Sequence, residues 1–201
     1  VVRRHPFAFS KGELTLSSGV PSSPMAPFLR SQRLRMARPY LRGRVLDYGC
    51  SSGALAELCR PEAYLGVDIS EEALEVARAS HPGYEFDNKV SEHERFDVIA
   101  ALAVLEHVHD PLDLLTGWAG MLNPGGRIVI TTPHPSFEWV LTFGAKLGLF
   151  DRHSLDEHDD LLNLARIKQL GAGSGLELER YRRFLLGANQ LFVLRSKPDL
   201  H

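Results

Sequence analysis

The sequence predicts a doubly wound α/β fold, and three observations carry that expectation. From Arg44 onward, short apolar runs alternate with helical segments, the rhythm of parallel strands joined by crossover helices. Two of the runs carry an acid at their end, Asp47 in Val45-Leu46-Asp47-Tyr48 and Asp68 in Tyr64-Leu65-Gly66-Val67-Asp68. Near the C-terminal end, Leu176–Phe184 and Gln190–Ser196 read as strands. The turn between them, Leu185–Asn189, contains a glycine and an asparagine that suit a hairpin.

Taken in order, residues 1–27 are rich in Pro, Ser and Gly and read as an arm or flap. Phe28–Tyr40 reads as a helix stopped near Pro39. Strand 44–48 follows, then a helix over 53–60, a strand over 64–68 and a helix Glu71–Ser80 that Ser70 can cap. Further strands are expected at 84–87, 96–101 and 127–132, with a helix at 112–122. Leu122-Asn123-Pro124-Gly125-Gly126 reads as the turn into the last of these strands. Glu157–Leu170 reads as a helix that Gly171-Ala172-Gly173-Ser174-Gly175 breaks.

The run Val45-Leu46-Asp47-Tyr48-Gly49-Cys50-Ser51-Ser52-Gly53 reads as strand, tight turn and helix start. Gly49 permits a turn that other residues resist, and Ser51 or Ser52 can cap the next helix. Backbone N–H groups then lie beside Asp47 at the carboxyl end of a strand, where open parallel sheets bind ligands. Asp68, 21 residues on, is placed to accept hydrogen bonds from both hydroxyls of a ribose. A dinucleotide site would add Gly-x-Gly-x-x-Gly so that backbone can approach a pyrophosphate. Here Gly49 and Gly53 remain, with Cys50, Ser51 and Ser52 between them. A cofactor without phosphate does not need the missing glycines.

This pattern resembles motif I and the acidic loop of class I S-adenosylmethionine-dependent methyltransferases, with Ser51 in place of the middle glycine. Phe96-Asp97-Val98-Ile99, Leu105-Glu106-His107-Val108 with Asp110-Pro111, and Leu122–Gly126 before the strand Arg127–Thr132 extend the likeness over residues 44–133. Together they are similar to the small-molecule, ubiquinone-type O-methyltransferase branch. The resemblance implies a Rossmann-like doubly wound seven-stranded sheet, mostly parallel with an antiparallel C-terminal strand. It implies one methyltransferase domain over 1–201: an arm and helix (1–43), a cofactor-binding core (44–132), a substrate cover (133–156), and a C-terminal helix and hairpin (157–201). The expected cofactor is S-adenosyl-L-methionine, and the expected acceptor is a small molecule methylated on oxygen.

Site residues carry over position by position. Gly49, Cys50, Ser51 and Gly53 would line the methionine end, and Asp47 would order the turn and reach the amino group. Asp68 would take the ribose hydroxyls, with Ile69 against the adenine. Asp87 followed by Asn88 would read the adenine edge, with Glu92 as the other candidate, and Leu102 would line the cofactor. One of Arg30, Arg33 and Arg35 would hold the methionine carboxylate, and the sequence does not choose among them. Methyl transfer from a sulfonium asks the protein mainly for alignment and exclusion of water, and for a base only when the acceptor must lose a proton early. His107 is the candidate base, against the plainer role of a histidine satisfied by a neighbour. His134 is a second candidate, and His153 and His158 lie in the next connection.

Composition excludes several classes. The chain has 201 residues, 44% apolar and 24% charged, ordinary for a soluble globular domain. Cys50 and Cys59 offer neither a disulfide framework nor metal spacing, and the nine histidines show no ligand pattern. No run approaches the ~20 apolar residues of a membrane helix, so a cytoplasmic protein without stable membrane insertion is expected. Nine of the 23 Lys/Arg precede Asp47 against one acid there, Glu13, an asymmetry that suits either an anion-binding segment or a solvated helix face. Beyond residue 44 no broad basic surface is expected, which argues against nucleic acid. Ala101-Leu102-Ala103-Val104 replaces both the Asn/Asp-Pro-Pro-Tyr/Phe of base-amine methylating enzymes and the cysteine of cytosine-C5 enzymes. Phe137, Trp139, Val140, Leu141, Phe143, Leu147, Leu149 and Phe150 make 133–156 an apolar cover or a packed helix, suggesting an apolar or aromatic acceptor. Two rival functions stay open: a non-catalytic S-adenosylmethionine-binding protein, and a nicotinamide-dependent oxidoreductase.

Overall fold

A computed structural model describes residues 25–135 and 162–196 of the chain. Seven strands form one sheet in the order β3-β2-β1-β4-β5-β7-β6. The strands are β1 (Val45–Tyr48), β2 (Tyr64–Val67), β3 (Glu85–Asp87), β4 (Phe96–Leu102), β5 (Leu122–Pro133), β6 (Leu176–Phe184) and β7 (Asn189–Ser196). β1 pairs in parallel with β2 and β4, and β4 with β5. β7 runs antiparallel to both β5 and β6, so the closing hairpin expected from the sequence is present. The chain winds outward from β1 through β2 to β3, then returns to start β4 on β1's other side. The sheet therefore changes winding direction between β1 and β4, and the carboxyl ends of the strands at such a reversal are where open sheets of this kind form a ligand crevice.

Strands with apolar side chains on both faces need a layer on each. On one face Leu46, Ile99, Ile128 and Phe192 pack with Leu115 and Trp118 of helix α3 (Pro111–Met121) and Ile167 and Leu170 of helix α4 (Leu164–Gly173). On the other, Val45, Val98, Val129 and Val193 pack with Ala37 of α1 (Ala26–Ala37) and Leu74 and Ala77 of α2 (Glu71–Ser80). The end of the sheet away from the crevice is pinned by Asp97. Its carboxylate accepts from the Arg44 backbone N–H at 2.7 Å and from Asn123 Nδ2 at 2.9 Å, and these donors hold its carboxyl below the usual range.

Most element boundaries lie within one or two residues of the sequence expectation, α1 among them at Ala26–Ala37 with a 3-10 turn to Tyr40, and three depart further. The helix expected over 53–60 is a run of turns with one 3-10 turn, Ala56–Leu58. Gly53 at φ +76° bars a helical start, and Pro61 holds Arg60 extended, leaving room for little more than one turn. β5 begins at Leu122 rather than 127, because Leu122 pairs with Phe96 and the glycine turn is absorbed as a bulge before Arg127 meets Val98. α4 begins at Leu164, capped by Asn163, whose side chain accepts from the Arg166 N–H. It continues through Gly171 and Gly173. The break comes at Ser174, whose hydroxyl donates to the Leu170 carbonyl, and at Gly175 with φ +75°. Of the arm and the cover, residues 1–24 and 136–161 lie outside the described residues.

Candidate functional site

The crevice is organised by Asp68, just past β2 and only 2% exposed. Its Oδ2 accepts the Ser51 backbone N–H at 2.8 Å, and its Oδ1 accepts the Ser70 N–H at 3.0 Å. One carboxylate thus joins the turn after β1 to the N-terminus of α2, where Ser70 caps through its own hydroxyl. The turn itself hangs from β2, with the Gly49 and Cys50 N–H groups both donating to the Val67 carbonyl. Gly49 and Gly53 each sit at φ +76°. A Cβ on Gly49 would lie 2.5 Å from Val104 Cγ2, and one on Gly53 2.8 Å from Phe86 Cζ. Both glycines therefore press the turn against the protein, while its backbone borders the crevice. Ser51, where relatives of the motif carry glycine, also has a positive φ of 48°.

Asp47 is 4% exposed at the end of β1, and Tyr64 Oη donates to its Oδ2 at 2.8 Å. Burial, helped by the charge of Asp68 and opposed by the tyrosine, pushes its carboxyl up to about 7. The Cys50 thiol is buried, and burial together with Asp47 and Asp68 raises it far above the usual range, which disfavours the thiolate. Ile69 is half-buried. The Asp68 N–H donates to the Asp87 carbonyl, which brings the ends of β2 and β3 together. Asp87 and Asn88 are exposed there, with Asp87 Oδ1 accepting the Asn88 N–H, and Glu92 is exposed further on. Leu102 ends β4, half-buried.

The three candidate arginines separate. Arg30 Nη1 donates to Ser52 Oγ at 3.2 Å, above the turn after β1. Arg33 is half-buried, and its Nε donates to Asn189 Oδ1 at the start of β7. Arg35 is exposed in the last turn of α1. His107 is exposed on the 3-10 turn Leu105–His107 that follows β4. His134 follows β5, its N–H donating to the Ala188 carbonyl; partial burial and the nearby Arg183 hold its imidazole below the usual range. His153 and His158 lie outside the described residues, and among the described residues no group of three or more acids, histidines or cysteines is arranged to hold a metal.

Sequence reasoning missed Glu106. Its neighbour His107 drew attention, yet Glu106 has the buried polar atom: Oε2 has no hydrogen-bond partner among the described residues. Burial pushes its carboxyl up to about 7, with its own backbone N–H and Arg33 opposing. Ala103, between β4 and this turn, is held at φ +62°, its N–H donating to the Thr131 carbonyl. The signal for Glu106 was in Leu105-Glu106-His107-Val108, but the charge that faces it is Arg33 of α1, far away in sequence.

A family model described as a methyltransferase domain matches residues 23–181. The chain belongs to that family. This methyltransferase domain is 32% identical over 148 residues to a ubiquinone biosynthesis O-methyltransferase of Aeromonas salmonicida, covering 66% of the chain and 62% of the relative. It is 27% identical over 153 residues to a protein of that name from Coxiella burnetii, covering 69% and 65%. The domain thus spans under two thirds of the length of these relatives. Among solved structures it resembles magnesium protoporphyrin IX methyltransferase of Synechocystis, solved with bound SAH, with TM-score 0.66 and 16% identity over 90% of each chain. An S-adenosylmethionine-dependent methyltransferase of Mesorhizobium loti gives TM-score 0.61 and 19% identity, covering 88% of this chain and 99% of that one. At these identities the structural likeness is one of fold, and the seven-stranded doubly wound sheet is common to the family.

Proposed function

We propose that the chain is an S-adenosyl-L-methionine-dependent methyltransferase acting on an oxygen of a small-molecule acceptor. The observation that carries this is Asp68: a buried carboxylate at the winding reversal of the sheet, with one backbone N–H on each oxygen and further lone pairs for a diol. With Asp47 close by, the crevice has two acids and no glycine-rich phosphate cradle. A site without that cradle gives a pyrophosphate no backbone to rest on, whereas the acid suits the ribose of a cofactor without phosphate. The residues present therefore fit S-adenosylmethionine and not NAD.

When bound, that cofactor supplies an electrophilic methyl group on a positively charged sulfur. In this reading Gly49, Cys50, Ser51 and Gly53 border its methionine end, and Arg30, which donates to Ser52 Oγ over the turn, takes the carboxylate. Asp68 holds the ribose, Ile69 and Leu102 cover the adenosine, and Asp87 with Asn88 reads the adenine edge. His107, exposed beyond β4, accepts a proton from the acceptor hydroxyl. Two free cysteines, Cys50 and Cys59, favour a reducing, cytoplasmic setting. Among the described residues no helix is long and apolar enough to cross a membrane.

Calorimetric titration with S-adenosylmethionine and S-adenosylhomocysteine, with NAD as control, tests the cofactor. Micromolar binding of the first two alone is expected, and tighter binding of NAD would overturn the assignment. With cofactor binding in hand, transfer of a labelled methyl to candidate phenols and catechols distinguishes an enzyme from a binding protein. His107→Ala is expected to lower turnover and leave cofactor affinity intact; full activity would return His107 to a structural role.

A further inference from the structure

Two arginines of α1, about one helical turn apart, meet different parts of the carboxyl end of the sheet. Arg30 reaches Ser52 over the turn after β1, whereas Arg33 Nε donates to Asn189 Oδ1 at 3.2 Å. Asn189 is buried and pairs with Pro133 at the end of β5, and the Ala103 N–H ties the end of β4 to Thr131. Arg33 therefore lies at the ends of β5 and β7, within electrostatic reach of Glu106 past β4.

Neither group is fully used. Among the described residues the two Nη groups of Arg33 make no hydrogen bond, and Glu106 Oε2 is buried without a partner. A cation whose task was to neutralise Glu106 would touch it and draw its carboxyl down. Here burial outweighs Arg33, and the carboxyl rises to about 7. Arg33 is the charged side chain of the described residues that acts on it. His107, His109 and Asp110 on its own connection are exposed, and His134 past β5 is influenced by Arg183. Below pH 7 the pair is thus a guanidinium with open donors beside a carboxyl that carries its proton. Half-buried donors are costly to leave unpaired. What completes them is an anion with two oxygens, one for the guanidinium and one for the O–H, and a carboxylate has that shape.

We propose that Arg33 and Glu106 together bind a carboxylate of the methyl acceptor, one oxygen on the Arg33 Nη groups and the other on the Glu106 carboxyl. The preferred acceptor is then a hydroxy acid. That the carboxylate belongs to the acceptor rests on the proposed methyl transfer; its binding by Arg33 and Glu106 does not. The two arginines of α1 divide two carboxylates between them, Arg30 taking the cofactor's and Arg33 the acceptor's.

Fluorescence titration with 6-hydroxy-2-naphthoate and its uncharged amide, each with and without S-adenosylhomocysteine, tests this and needs no natural acceptor. At pH 6 the carboxylate is expected to bind about tenfold more tightly than the amide. Arg33→Gln is expected to abolish that preference and leave S-adenosylhomocysteine affinity unchanged. Arg33→Lys, which keeps the charge without the planar fork, should retain about threefold. At pH 8 ionised Glu106 repels the naphthoate, so the wild-type preference should fall to about threefold or less. Glu106→Gln, whose amide donates at either pH, should hold it near tenfold at both. Urea unfolding shows which variants are folded, and the wild-type pH arm depends on none of them. Equal binding of the two probes at pH 6, a preference that survives Arg33→Gln, or a wild-type preference that ignores pH overturns the proposal. So does a loss of S-adenosylhomocysteine affinity in Arg33→Gln, which would give Arg33 to the cofactor. A chain that prefers the naphthoate yet ignores S-adenosylhomocysteine would uphold the carboxylate site and overturn the methyl-transfer reading.

Discussion

The two halves of the crevice are built on different terms. On the β1–β3 side, one buried carboxylate and a strand carbonyl hold the turns through backbone N–H groups. Asp68 takes Ser51 and Ser70, and Val67 takes Gly49 and Cys50. On the side of β4, β5 and the hairpin, side chains from distant segments meet. Arg33 reaches Asn189 across 156 residues, and Glu106 keeps a buried oxygen without a hydrogen-bond partner among the described residues. The first half is satisfied before any ligand arrives, whereas the second retains an unspent acceptor and two carboxyl or amide groups around one guanidinium. This contrast suits a half that holds a constant cofactor beside one whose acceptor can vary.

Substitutions can break the contrast or sharpen it. The largest effect is expected from Asp68→Ala, which orphans two backbone donors at once and should cost about 3 kcal/mol of stability in urea unfolding. It should also weaken S-adenosylmethionine binding by about 1.5–3 kcal/mol in calorimetry. An unchanged affinity would remove Asp68 from the ribose site. Gly49→Ala forces a Cβ toward Val104 at a left-handed position and should cost about 2–3 kcal/mol by the same urea assay.

Glu106→Gln should act in the opposite direction. The folded protein holds the Glu106 proton up to about 7, whereas the unfolded chain releases it near 4.5. Wild-type stability therefore falls as pH rises between those values and stays lowered above them. The glutamine variant loses that share of the slope, and at pH 8 it should be more stable than wild type by about 1–2 kcal/mol. Parallel stability–pH curves for the two proteins would show that Glu106 is not buried as described. The smallest effect is expected from Ala103→Gly, which relieves φ +62° but adds freedom to the unfolded chain. A net gain of about 0.5 kcal/mol should appear as a small rise in Tm.

The same contrast explains what was legible in the sequence. Apolar strands ending in Asp47 and Asp68, Gly49 at its turn, and Ser70 before α2 are local signals, and each lies where the local chemistry places it. The closing hairpin was legible for the same reason, although its leucines occupy positions where Asn and Gly would be expected. The helix over 53–60 failed because Gly53 and Pro61 act together across eight residues, and apolar periodicity does not record that. Arg30 could be separated from Arg33 only once α1 was laid across the sheet, one arginine over Ser52 and the other over Asn189. Glu106 was hidden because burial of a carboxylate is decided by what folds over it, not by its neighbours in Leu105-Glu106-His107-Val108.

The margins of the sheet have a bearing on how the protein behaves in crowded solution. β3, at one edge, is only three residues long, and β6, at the other, presents Arg180, Arg182 and Arg183. A strand from a neighbouring molecule finds too little backbone to template on at one side and a charge-rich strand, with Glu177 and Glu179 beside its three arginines, at the other. Among the described residues the sheet is thereby guarded against lateral growth without a barrel or an added helix. Concentrated stocks should fail, when they do, through unfolding and not by edge-to-edge polymerisation.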